Sequence, residues 1–120
     1  MNSPQIIHRL KELVEFFQAI PNRQWCTGHI CFYGTYCALG HLEKSGRSDE
    51  ELREVGKLIN EFLVTEGLML AVHKYDLRYL IALVNDDDLG LADKFRWITP
   101  KERIVNVLKK RLEMESDGAV

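Results

Sequence analysis

The chain has 120 residues, of which 46% are hydrophobic and 28% are charged, the usual proportions of a single globular domain. Its 16 basic and 18 acidic residues leave a formal net charge of -2, which argues against charge-driven binding to nucleic acid. The composition also excludes a largely disordered chain, and no apolar run approaches the ~18 residues that a membrane helix needs. We therefore expect one domain over residues 1–120, ordered from about residue 3 to 114, with a frayed tail at 115–120.

Two further features bear on the compartment. The N-terminal residues lack the basic run and apolar core of a signal peptide, so we expect a cytoplasmic protein with no membrane segment. The three cysteines are an odd number, which suits a reducing compartment better than a disulfide scaffold. We accordingly predict neither a disulfide bond nor bound zinc.

The first predicted element is an amphipathic helix near the N-terminus. Ser3 can cap this helix, Pro4 suits its first turn, and Pro21 with Asn22 ends it. Its apolar residues recur at helical spacing: Ile6, Leu10, Leu13, Val14 and Phe17.

The segment 23–39 changes character, because residues that favour strands alternate there with glycines. We interpret it as a short β-hairpin that turns near Tyr33 and Gly34. A short helix should follow over 38–44 and end at Ser45 and Gly46.

Three later helices are predicted from their capping residues. Ser48 opens a capping box, Asp76 can cap a further helix, and Thr99 with Glu102 opens the last one. The segment 68–74 is ambiguous between helix and strand. The run from Asn85 to Asp88 should break the helix that Asp76 caps, and a loop should run on to Ile98. The predicted fold is α+β, with about four amphipathic helices packed around the short hairpin and with Trp25 and Cys37 near the core.

Cysteines and histidines cluster in and after the predicted hairpin, at the spacing Cys26-x2-His29-x-Cys31-x5-Cys37-x3-His41. Zinc modules of the usual kind show two clean ligand pairs, which this spacing lacks. Cysteine is also among the most commonly buried residues. We expect no metal and no cofactor.

A second interpretation of the same segment is thiol catalysis. Cys37 lies just before a predicted helix, where backbone N–H groups favour a thiolate. A Cys–His–Asn/Asp arrangement would need a base and a residue to orient it. The candidates are His29, His41 or His73 as the base and Asn85 or Asp86 as the orienting residue. The simpler alternative is that Cys37 packs in the core.

A third interpretation is non-catalytic binding. Trp25, Phe32, Tyr33 and Tyr36 could line a groove for a planar ligand or a partner's side chain. The alternative is that these aromatic residues build the core of the hairpin.

The run Asn85 to Asp88 follows an apolar stretch abruptly. Its oxygen atoms could bind Mg²⁺ or Ca²⁺, but it lacks the glycine and the distal glutamate of an EF-hand loop. We predict instead that Asn85 and Asp86 shape a turn by accepting backbone N–H groups, and that they close one end of the Cys37 site.

Four short motifs carry a resemblance to a known family: Trp25-Cys26-x-Gly28, Gly34-x-Tyr36-Cys37-Ala38-Leu39-Gly40, Asn85-Asp86 and Thr99-Pro100-x-Glu102. Together they resemble a family of small uncharacterised bacterial and bacteriophage proteins, which share a C-A-L-G-like segment after a Gly-rich hairpin and an N-D pair before a terminal helix. The run after Asn85 departs from that pattern, because a tighter turn would be expected there. The resemblance implies a phage or mobile-element setting and one structural unit that joins the Cys37 segment to the Asn85-Asp86 turn.

From these observations we expect a small binding protein that acts on a host or phage protein or on a small ligand. A cysteine-dependent hydrolase or transferase that uses Cys37 is the main alternative. The third possibility is a structural subunit of a homo-oligomer. A histidine within hydrogen-bond reach of Cys37 would favour the enzyme.

Overall fold

The computed structural model describes residues 2–27, 34–68 and 76–118, and those residues form six α-helices and one short 3-10 helix. The elements are α1 (Ser3–Gln18), the 3-10 helix (Asn22–Gln24), α2 (Ala38–Lys44), α3 (Asp49–Thr65), α4 (Leu77–Asn85), α5 (Leu91–Phe95) and α6 (Pro100–Gly118).

The predicted α+β class is wrong, because the described residues form an all-α fold. Their β-type pairing is an isolated parallel bridge between Trp25 and Tyr36. Cys26 N–H donates to Tyr36 O at 3.2 Å, and Tyr36 N–H donates to Gln24 O at 2.9 Å. A tight hairpin pairs its two strands antiparallel, so a parallel bridge cannot belong to one. Tyr33, at the expected turn, lies outside the described residues.

The helix starts agree with the predicted capping residues in three cases. Ser48 accepts the N–H of Glu51 at the start of α3, Asp76 caps α4, and Thr99 accepts the N–H of Glu102 at the start of α6. Helix α1 starts one residue earlier than a Ser3 cap would place it, because Asn2 forms the capping box. The bounds of α2 agree with the predicted 38–44.

Two stretches differ from the expectation. Helix α5 lies inside the predicted loop, and it follows Gly90, whose φ of 73° is left-handed. Helix α6 continues to Gly118, beyond residue 115, where we expected the tail to fray. Most of the ambiguous segment 68–74 lies outside the described residues.

The core forms where the long helices meet. Helix α1 packs along α6, α3 packs against α4 and α6, and α2 contacts α3, α4 and α6. Gly56 on α3 permits one close approach, since a Cβ there would lie 1.9 Å from the Leu77 carbonyl oxygen at the start of α4. The fully buried side chains include Leu10, Phe17, Leu42, Phe62, Leu80, Ile81 and Ile104. Among the helices of the described residues, none has the length and apolarity required to cross a membrane.

Candidate functional site

Asn85 is the last residue of α4 and is completely buried. Its Oδ1 accepts the N–H of Ala38 at 3.0 Å, and its Nδ2 donates to Cys26 O at 2.9 Å and to Asp86 Oδ1 at 2.9 Å. A buried amide must find such partners, because leaving its polar atoms unpaired is costly. Asn85 therefore joins the end of α4 to the start of α2 and to the segment before residue 28.

We predicted that Asn85 accepts a backbone N–H within its own turn, and that prediction is wrong; the same prediction for Asp86 stays a prediction. The N–H that Asn85 accepts belongs to a residue 47 positions away rather than to the turn. Asp87, two residues further on, accepts the backbone N–H of Ala92 at 3.0 Å. Asp87 has a φ of 61°, in the left-handed region that aspartate tolerates better than most residues.

Arg103, on α6, bonds to the backbone at the end of α4, a role that we did not predict from the sequence. The side chain is 4% exposed. Its Nε donates to Val84 O at 3.1 Å, and one terminal nitrogen donates to Asn85 O at 2.7 Å. The other donates to the carbonyls of Trp97 and Ile98 at 3.3 and 2.6 Å. Burial lowers the pKa of the guanidinium, against the attraction of Asp87 and Asp86.

His41, on α2, is also buried. Its Nε2 lies 2.9 Å from the carbonyl oxygen of Gln24, so this nitrogen carries the proton and donates. Its ring packs against Trp25 at 5.1 Å and against Tyr36 at 5.4 Å between ring centroids. Burial lowers the pKa of His41, and the nearby Lys44 lowers it further, against the carbonyls of Gln24 and Tyr36.

Cys37 is a free, half-buried thiol at the N-cap of α2. Its Sγ accepts the N–H of Gly40 at 3.4 Å. His41 bonds to Gln24 and Asn85 bonds to backbone groups, so the described residues do not form a hydrogen-bonded Cys37–His41–Asn85 set. The other two candidate bases, His29 and His73, lie outside the described residues.

The prediction that the chain contains no disulfide is wrong, because Cys26 is disulfide-bonded. The odd cysteine count led to that prediction, but an odd number requires only that at least one cysteine stays outside an intramolecular disulfide, and among the described residues Cys37 is a free thiol. Within the described residues, no three His, Cys, Asp or Glu side chains are grouped so that they could hold a metal ion. His29 and Cys31 of the predicted spacing are outside those residues.

The aromatic residues that we considered as the lining of a ligand groove have different environments. Trp25 is 8% exposed, packs against Phe17 at 5.6 Å and donates its Nε1–H to Ile20 O at 3.3 Å. Tyr36 is half-buried, and the Lys44 ammonium lies 4.6 Å above its ring. Phe32 and Tyr33 lie outside the described residues. Trp25 is thus part of the core, and Tyr36 is a partly covered ring beside it.

A cleft of about 580 Å³ lies between the start of α2 and the last two turns of α4. Asp86 was singled out from the sequence, as was Cys37, and both line this cleft. Tyr79 was not singled out from the sequence, and this residue is 44% exposed. Its position could have indicated an exposed aromatic ring, because Tyr79 is not one of the buried apolar residues that recur at helical spacing in α4, which are Leu80, Ile81 and Val84. The lining residues are Thr27, Cys37, Leu39, Tyr79, Ala82, Asp86 and Asp88, and we call this space the Cys37 cleft.

A second cleft of about 580 Å³ lies between α1 and α3. Its charged side chains pair with one another, since Arg9 lies 3.5 Å from Glu12 and 3.8 Å from Glu54. A ligand would have to compete with these ion pairs. The Cys37 cleft has the apolar side chains of Leu39 and Ala82 and the ring of Tyr79 in its lining, and we take it as the candidate site.

No family model matches the chain, and neither the curated proteins nor the solved structures contain a match to it. The resemblance to small bacterial and bacteriophage proteins therefore stays a prediction. Independently of that resemblance, Asn85 Oδ1 accepts the N–H of Ala38, the residue after Cys37.

Proposed function

We propose that this protein is a small non-catalytic binding protein and that the Cys37 cleft is its ligand site. The observation that supports the proposal is the hydrogen bonding of Asn85. We considered its amide as the group that orients a catalytic base. The amide is instead buried and bonded to the backbone of the two segments that adjoin the cleft. The cleft thus has a rigid frame, and its thiol lacks a partner histidine among the described residues.

The lining of the cleft indicates the kind of ligand. Leu39, Ala82 and the ring of Tyr79 supply apolar surface, on which an apolar or aromatic group can pack. The carboxylates of Asp86 and Asp88 disfavour an anionic ligand through like-charge repulsion. A neutral or cationic small molecule, or a side chain of a host or phage protein, fits this description. Action in the cytoplasm belongs to the same proposal.

The test is a ligand screen by NMR on the whole protein, with neutral, cationic and anionic aromatic compounds as probes. We expect neutral or cationic probes to shift the amide signals of Thr27, Leu39 and Ala82. Ala82→Phe, which fills the cleft, should abolish those shifts. Ala19→Phe is the matched control, because Ala19 is exposed at the end of α1. Probes that shift signals elsewhere only, or that bind Ala82→Phe equally well, would refute the proposal.

A cysteine-dependent enzyme is the second candidate, because the Cys37 thiol lines the cleft. Cys37→Ser separates the two functions. If the protein only binds, the variant should retain affinity for the probes within about threefold, a difference of well under 1 kcal/mol. An enzyme would instead turn over an activated ester, and Cys37→Ser would abolish this turnover. That result would make catalysis the preferred function.

A further inference from the structure

His41 holds together two stretches of chain that meet beside the Cys37 cleft. The carbonyl oxygen of Gln24 accepts both the Nε2–H of His41 and the backbone N–H of Tyr36, each at 2.9 Å. The same two stretches continue to the cleft, where Thr27 and Cys37 contribute to the lining. The imidazole thus shares its acceptor with the parallel bridge that joins them.

The surroundings of this imidazole suit its neutral form only. The side chain is 7% exposed and lies between the rings of Trp25 and Tyr36. The segment 21–27 presents the Gln24 carbonyl and the Trp25 ring to it, and the segment 34–37 presents the Tyr36 ring. From α2 itself the facing charge is Lys44, whose ammonium already lies 4.6 Å over the Tyr36 ring. No carboxylate of the described residues pairs with His41.

We propose that His41 is a pH-sensitive latch, whose protonation in mildly acidic solution opens the bridge between Trp25 and Tyr36 and loosens that wall of the Cys37 cleft. A second positive charge beside Lys44 in a buried site is unfavourable, and it becomes tolerable when the bridge separates and water reaches the ring. The latch is independent of the proposed binding function, because it concerns the bridge whether or not the cleft takes a ligand.

The direction of the effect follows from the lowered pKa of His41 in the closed form. In the open form the imidazole has its ordinary pKa, about 6.5. Between these two pKa values the open form binds more protons, so the closed form is most stable above about pH 6.5 and loses stability as the pH falls towards the lowered value. Below the lowered pKa the loss is complete.

Amide hydrogen exchange measured by NMR between about pH 7.5 and 5 tests the latch. The reporters are the N–H groups of Cys26 and Tyr36, which form the bridge. Their protection factors should fall by about tenfold for each pH unit inside that window, while the N–H of Ile104 in α6 stays protected. The fall identifies local opening, because global unfolding would expose Ile104 as well.

His41→Gln is the decisive variant, since the glutamine amide can donate to Gln24 O but does not titrate in this range. It should remove the pH dependence. His8→Gln on the exposed face of α1, and likewise His29→Gln and His73→Gln, should retain it. Protection that does not change with pH, or that falls equally in His41→Gln, would overturn the proposal.

If His41→Gln does not fold, the parent protein still provides a test. The ring proton signals of His41 should titrate with the same midpoint as the loss of protection at Cys26 and Tyr36. Titration of His41 with no change at those two amides would overturn the latch.

Discussion

Asn85 accepts the N–H of Ala38 at 3.0 Å across 47 residues of chain. The first N–H groups of any helix lack partners within that helix. In α2 the Cys37 thiol satisfies the N–H of Gly40, and the amide at the end of α4 satisfies that of Ala38. One side chain therefore sets the distance between the two helices that form the Cys37 cleft.

Asn85→Ala should reduce the free energy of unfolding by about 2–4 kcal/mol, because it leaves the Ala38 N–H and the Cys26 carbonyl buried without that partner. Urea unfolding followed by circular dichroism measures the loss. Asp86→Asn is the matched control, since it keeps a side-chain oxygen beside Asn85 and should cost about 1 kcal/mol or less. Equal stability of the two variants would contradict this account of Asn85.

Trp25→Ala should cost about 3–5 kcal/mol, because it removes a buried ring that packs against Phe17 and His41. Trp25→Phe retains an aromatic ring and mainly loses the hydrogen bond to Ile20 O, so about 1 kcal/mol is expected. Thermal unfolding of the three proteins gives the comparison. If Trp25→Ala melts within a degree or two of the parent, Trp25 is not part of the core.

Arg103→Met should reduce stability by about 3 kcal/mol, because four backbone carbonyls at the end of α4 and before α6 lose a charged donor. Lys109→Met is the matched control on the exposed face of the same helix and should change stability by less than about 0.5 kcal/mol. Urea unfolding measures both. A small loss for Arg103→Met would show that water replaces the guanidinium without cost.

The two cysteines of the described residues should differ in alkylation. Cys37 should be labelled by iodoacetamide in the unfolded, unreduced protein, and Cys26 should be labelled only after a reducing agent has been added. Peptide mass mapping distinguishes the two sites. Labelling of Cys26 before reduction, with the protein purified without reductant, would contradict the disulfide.

Local signals in the sequence were enough to predict most of the helices. Ser48, Asp76 and Thr99 each precede an apolar stripe of helical period, and each caps a helix in the structure. Capping depends on residues within one turn of each other, so the information lies in the neighbouring sequence. The short helix α2 was also predicted from local sequence, with its end at Ser45 and Gly46.

The hairpin and α5 show where local patterns fail. Aromatic and β-branched residues between 23 and 36 favour a strand, but in the described part of that segment tertiary packing overrode the preference, and Trp25 became part of a helical core. Helix α5 has only five residues and its N-cap is Gly90, which has no side chain to cap it, so its sequence lacks the capping signal that marked the longer helices.

By itself the sequence determined the long helices, their apolar faces and most of their capping residues. It also identified Cys37, Asn85 and Asp86 as candidate site residues. Only the tertiary structure decided what Asn85, His41 and Arg103 do. Their roles depend on which backbone groups lie within about 3 Å of a buried polar atom, and those groups come from distant parts of the chain. A buried polar side chain takes whatever partner the packing of the helices brings to it, and that packing is not encoded in any one segment.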